Sequence, residues 1–223
     1  MVRVESVFKK LVPGVLLVIG ILIFSSVLFA LETNIVQIRE AAKKGHPVAQ
    51  YKMGNSFFHG KGVARNNTEA LLWYKKSAEQ GYIVAQYSLG VIYQTGNGAT
   101  KDYTKALNWY FKAAENGYAG AQNNLGIMYE KGEGVVQNYS EAKKWYSKAA
   151  ENGYVGAQYN LALMHYNGRG VPRDYIKAYM WCSLAGARGH SAGKNYLSLI
   201  KSKMKPAEIK RAQTEITKFQ QKN

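Results

Sequence analysis

The sequence predicts an all-α chain: an α-solenoid of helical hairpins wound as a right-handed superhelix, preceded by a hydrophobic N-terminal helix. Three observations predict it. The chain repeats itself at an offset of 36 residues, its 22 glycines and 4 prolines suit short helices joined by glycine turns, and an uncharged apolar run lies near its start.

The repeat aligns four segments without an insertion. Met53, Leu89, Leu125 and Leu161 superpose, each followed by Gly54, Gly90, Gly126 or Ala162. Phe57, Tyr93, Tyr129 and His165 come next, then the pairs Gly60/Gly62, Gly96/Gly98, Gly132/Gly134 and Gly168/Gly170. Asn66, Asp102, Asn138 and Asp174 precede Ala70, Ala106, Ala142 and Ala178, then Trp73, Trp109, Trp145 and Trp181. Gly81, Gly117, Gly153 and Gly189 close the units.

Each element has a physical role. Paired glycines permit the positive φ of a tight turn that ends a first helix. Asn or Asp then offers an oxygen to cap the second helix, and Asn66 with Glu69 or Asn138 with Glu141 has the spacing of a capping box. Ala106, Trp109 and Ala113 share one helix face, the alanines allowing close approach and the Trp filling the space between helices. One hairpin cannot bury both its faces, so the units must stack.

The organisation that follows is a signal peptide or signal anchor at 1–31, a half-repeat cap at 34–46, repeats at 47–82, 83–118, 119–154 and 155–190, and basic capping helices in 191–223. Ala41, Ala42 and Gly45 match a repeat's tail. At the other end one helix is expected over about Ser191 to Lys201. A second is expected from Pro206 to about Gln220, with Ile209, Ala212, Ile216 and Phe219 on its apolar side.

With 47% hydrophobic residues the chain lies outside the composition of disordered proteins. Its net charge is +16, and from Arg188 onward nine Lys or Arg face Glu208 and Glu215. Such a field favours anionic partners. Cys182 is the only cysteine, which excludes an intramolecular disulfide and every cysteine-based zinc spacing.

Arg3, Lys9 and Lys10 precede the apolar run from Leu11 to Leu31, the order of a secretory n-region and h-region. Positive residues stay in the cytoplasm, so the body is expected outside it, periplasmic or secreted. Ala30 suits a cleavage site whereas Leu28 is large for one, and residues 11–31 are long enough to anchor the chain in the inner membrane if uncleaved. Export makes anionic lipid, wall polymer or acidic protein a better match to the basic end than nucleic acid.

Written as LGxIYxxGxG, DYxKAxxWYxKAAENGY and AQ, the units resemble Sel1-like repeats, relatives of tetratricopeptide repeats, over residues 34 to about 190. The resemblance implies a bacterial scaffold for protein assembly in envelope processes, motility or host interaction, with no common substrate. Cys182 departs from Tyr74, Tyr110 and Tyr146, and Ala99 from Val63, Val135 and Val171. A cysteine-rich branch of the family, linked to penicillin binding or hydrolysis, carries cysteine pairs that this chain lacks.

His46, His59, His165 and His190 are scattered, with no metal spacing on one helix face, and His165 falls in an aromatic core slot. SxxK occurs at Ser140/Lys143, Ser191/Lys194 and Ser198/Lys201 without the SDN or KTG motif of penicillin-recognising enzymes. No catalytic residue, metal or cofactor is therefore assigned. What remains is a surface. The resemblance implies that first helices line a concave groove, which places there Tyr51, Asn55 and Phe58, then Tyr87, Val91 and Gln94, then Asn123, Ile127 and Glu130, and finally Tyr159, Leu163 and Tyr166. Tyr and Asn suit recognition of a protein or peptide. The expected function is a non-enzymatic interaction scaffold of the bacterial envelope, with an envelope hydrolase of the cysteine-rich branch or a secreted host-interaction effector as alternatives.

Overall fold

The computed structural model describes residues 34–222, and every regular element among them is a helix. The hydrophobic segment expected at 1–31 lies outside the described residues, within which no helix is long and apolar enough to cross a membrane. The elements are α1 (34–43), α2 (Pro47–His59), α3 (Asn67–Glu79), α4 (Ile83–Thr95), α5 (Tyr103–Glu115), α6 (Ala119–Lys131), α7 (Tyr139–Glu151), α8 (Val155–Asn167), α9 (Tyr175–Ala187), α10 (Ser191–Lys201) and α11 (Pro206–Lys222). From α2 to α9 each helix has 13 residues, about 20 Å at the usual rise.

Identical local chemistry sets these equal lengths. Every first helix ends on a left-handed glycine whose N–H donates to a carbonyl four residues back, as Gly132 does to Met128. The second glycine of that pair has a further reason to lack a side chain. Gly134 has φ +71°, and a Cβ there would lie 2.7 Å from the backbone of Tyr103, at the start of the preceding hairpin's second helix. Each second helix then starts on a side-chain cap. Asn66 accepts from Thr68 and Glu69, Asp102 from Lys105, Asn138 from Ser140 and Glu141, and Asp174 from Lys177.

The capping box does not form as the spacing predicts. The N–H groups of Asn66 and Asn138 donate to the carbonyls of Phe57 and Tyr129, both at 2.9 Å, and so tie the loop to the helix before it. Glu141 instead pairs with Lys144 at 3.3 Å.

The described residues fall into two compact units, divided at Ser77/Ala78 within α3. In the first, Ile35, Ala42 and Met53 form a core edged by Phe57, Val63 and Trp73. Gln50 Nε2 donates to the Ala42 carbonyl at 3.3 Å, and Ser77 Oγ donates to the Pro47 carbonyl at 2.7 Å.

In the second unit the hairpins α4–α5, α6–α7 and α8–α9 stack, and α9 also carries α10 and α11. A buried glutamine recurs at each junction. The Nε2 groups of Gln86, Gln122 and Gln158 donate to the carbonyls of Ala78, Ala114 and Ala150 at 3.1–3.2 Å. This satisfies a carbonyl near the end of the preceding helix, where the helix itself supplies fewer donors.

The space between the two helices of a hairpin is filled differently from the sequence expectation. Tyr110 and Tyr146, each next to the repeat's Trp, are wholly buried with their rings over Gly90 and Gly126, whereas Trp109 is half-buried under Lys112. Trp145 and Trp181 are buried. In the fourth hairpin both partners change together: Ala162 replaces the glycine and Cys182 the tyrosine. α11 buries Ala212 and packs against α9, with the Phe219 ring edge-on to Trp181 at 5.1 Å.

Candidate functional site

In the first unit the groove positions on α2 gather around one ring. Tyr51 and Phe58 lie 5.7 and 6.4 Å from the Tyr74 ring centroid, and Asn55 Oδ1 accepts from the Tyr74 hydroxyl at 2.7 Å. Burial, and to a lesser degree Tyr51, raises the Tyr74 phenol far above its ordinary range.

In the second unit the corresponding positions form a continuous track. Tyr87 packs on Tyr110 and Tyr118, at 5.7 and 4.8 Å. Gln94 Oε1 accepts from the Tyr110 hydroxyl at 2.8 Å, while its Nε2 donates to Glu133 at 3.2 Å. One repeat on, Glu130 accepts from the Tyr146 hydroxyl at 2.8 Å and pairs with Arg169 at 3.3 Å. Burial first, and the Glu130 carboxylate second, hold the Tyr146 phenol in its neutral, donating form. Asn160 donates to Asn123 at 3.0 Å. Asn123 is itself buried, so it braces the track from beneath, while Val91, Ile127 and Leu163 are half-buried between the polar positions.

The track ends in an aromatic cluster. Tyr159 stacks on His190 at 4.4 Å and meets Tyr196 edge-on at 6.3 Å. Tyr166 lies 5.3 Å from Tyr196 and 5.6 Å from Tyr175. The His190 ring is fixed because its Nδ1 accepts the Gly193 N–H at 3.1 Å, which caps α10.

Among the contributors that sequence reasoning missed are Glu133, Asn160, Arg169, Tyr196 and His190 in its stacking role. Glu133 and Arg169 were findable, since they are the variable residue between otherwise constant glycines, and each reaches back 39 residues to the preceding repeat. Tyr196 lies beyond the last repeat, where no periodicity marks it.

The remaining sequence candidates fall elsewhere. Ser140 is exposed at the α7 cap, where its N–H donates to Asn138. Among the described residues no group of three or more His, Cys, Asp or Glu side chains converges as a metal site. His165 is buried with no partner for Nδ1. Burial chiefly, then Lys177 and Lys143 against an opposing effect of Asp174, lowers its pKa. As pH falls through about 6.5 the unfolded imidazole takes up a proton before the folded one, so the stability present above that pH declines on acidification. Urea midpoints compared at pH 7.5 and 5.5 should fall in the parent and fall less in His165→Tyr, which restores the residue of the preceding two repeats.

The Sel1 repeat family model matches residues 47–82, 83–118, 119–154 and 155–190. A protective antigen present in uropathogenic Escherichia coli strains, displaying an SLR fold, superposes with a TM-score of 0.74 and 38% identity. That match covers 76% of this chain but 36% of the antigen chain. A Sel1 repeat protein from Oxalobacter formigenes gives a TM-score of 0.70 and 34% identity over 75% of this chain and 66% of its own. This chain therefore spans less than two-thirds of either neighbour. No curated protein matches it. With four consecutive repeats matched over more than half its length, the chain belongs to the Sel1 repeat family.

Proposed function

We propose that the chain is a non-catalytic scaffold of a bacterial cell envelope. Its first helices grip an extended segment of a partner protein, and its N-terminal segment carries it out of the cytoplasm. Sel1 repeats generally mediate protein–protein contacts. The observation that carries the reading for this chain is the track from Tyr87 to Tyr196, whose polar groups are already held by neighbouring repeats. A pre-set surface loses little side-chain entropy on binding, and tyrosine offers apolar area and a hydroxyl with few rotamers to freeze. Export rests on the order of charge and apolar residues in 1–31, and the protective-antigen description of the Escherichia coli neighbour supports an exposed location. The basic stretch from Arg188 adds contact to an anionic envelope surface.

The test is crosslinking of the full chain in its own membrane, followed by capture and identification of what is attached. One protein should dominate in the parent and fall at least tenfold in Tyr87→Ala/Tyr159→Ala, a loss in keeping with two aromatic anchors of about 1–2 kcal/mol each. An unchanged yield removes the groove assignment.

A further inference from the structure

Away from the groove, the second unit holds a cavity of about 410 Å³ lined by residues of α7, α8, α9 and α11. Its floor is apolar, made by Ile176, Met180 and Trp181, and its rim carries three cations, Lys143, Lys177 and Arg211. Lys177 is paired with Asp174 at 3.9 Å, and Glu215 with Lys218 at 3.9 Å. Lys143 and Arg211 meet no carboxylate among the described residues. His165 also lines the cavity, 94% buried by its 6% exposure, with Nδ1 unpartnered.

This combination is local to the fourth repeat. The equivalent neighbourhood of the second repeat has Lys105 5.6 Å over the Tyr93 ring. Only in the fourth repeat is that ring an imidazole, and only there does α11 supply a wall with a guanidinium.

We infer that this cavity is a binding site for a small organic carboxylate with an apolar body. Its ring or chain lies on Trp181 and Met180, and its carboxylate meets Lys143 and Arg211 beside His165. The size is that of metabolite pockets, in which an apolar lining supplies area and a few polar groups fix orientation. Unpaired cations at the rim favour an oxyanion, and Arg adds bidentate geometry. His165 lines the wall beside these cations, so a bound carboxylate lies within electrostatic reach of its imidazole.

Binding should couple to protonation. The charged groups facing His165 are Lys143 from α7, Asp174 at the N-cap of α9, Lys177 from α9, and Arg211 and Glu215 from α11. The two lysines oppose protonation of the ring, and a bound anion offsets them. Occupancy therefore raises the His165 pKa, and affinity rises as pH falls.

The full chain in detergent, with ¹³C-labelled histidine rings, provides the readout. Sodium benzoate should move the His165 signal saturably, more tightly at pH 6 than at pH 7.5, with the signal assigned by its loss in His165→Gln. Inorganic phosphate should fail to displace benzoate. Lys143→Gln/Arg211→Gln, both exposed positions that leave the fold intact by circular dichroism, should weaken benzoate at least tenfold. A missing or non-saturating shift overturns the site, and so does equal affinity in the double variant. Phosphate displacing benzoate at equal concentration overturns the apolar-body assignment. None of these outcomes depends on the groove.

Discussion

Gly126→Ala should destabilise the protein by about 2 kcal/mol, although alanine is the better helix former by up to about 1 kcal/mol. A Cβ at Gly126 would lie 3.0 Å from Cγ of Tyr146 and closer still to two other ring carbons. The ring has no retreat, because it is wholly buried and its hydroxyl is bonded to Glu130. Tyr146→Cys should cost about 3 kcal/mol by opening a cavity. The fourth repeat already contains the other solution, Ala162 with Cys182. Gly126→Ala/Tyr146→Cys should therefore be less destabilised than the sum of the two singles, with a coupling of at least about 1 kcal/mol. Urea melts followed by circular dichroism measure all three. Additivity within about 0.3 kcal/mol would mean that the two positions are independent and that the change in the fourth repeat is coincidental.

That pair shows where sequence reading succeeds and where it stops. Turn glycines such as Gly132 and caps such as Asn138 are legible because their causes are local: a left-handed φ or an oxygen three residues from a free N–H. Gly126 was visible as a position that is glycine in three of the four repeats but not as a contact, since its reason is a ring 20 residues away. The capping boxes failed for a related reason. The spacing was right, but the N–H it required was already held by a carbonyl nine residues earlier.

The buried glutamines carry the same lesson, since an AQ pair does not announce that its amide reaches a carbonyl of the previous repeat. In the groove, the candidate positions were legible on the repeat's own period. Their partners Glu133 and Arg169 stand out only as the variable residue between two glycines, and the shape of the loop decides what they meet. The cavity at His165 depends on α11, which follows the array and obeys no repeat.

Cys182 should react with a thiol reagent at pH 8 more than 100-fold more slowly in the folded chain than in urea. It is fully buried, its Sγ donates to the Gly193 carbonyl at 3.1 Å, and burial pushes its thiol up to about 11. Taken alone, two pKa units above the ordinary thiol leave about 100-fold less thiolate, the reactive form. Enclosure slows labelling further, because the reagent must wait for local opening.

The opening in question is the departure of α10. A Cβ added at Gly193 would already touch the Cys182 carbonyl and the Gly186 nitrogen, both at 3.4 Å, which leaves no room for the two further methyl groups of a valine. Gly193→Val should therefore loosen α10 and speed labelling at least tenfold while leaving most helicity in place. The same thiol sets an upper pH limit. Its native pKa is raised, so the stability it contributes is complete below about pH 9 and is lost as pH rises through about 11. Equal labelling rates for folded and unfolded chain at pH 8 would place Cys182 at the surface and remove α10 from the end of the array.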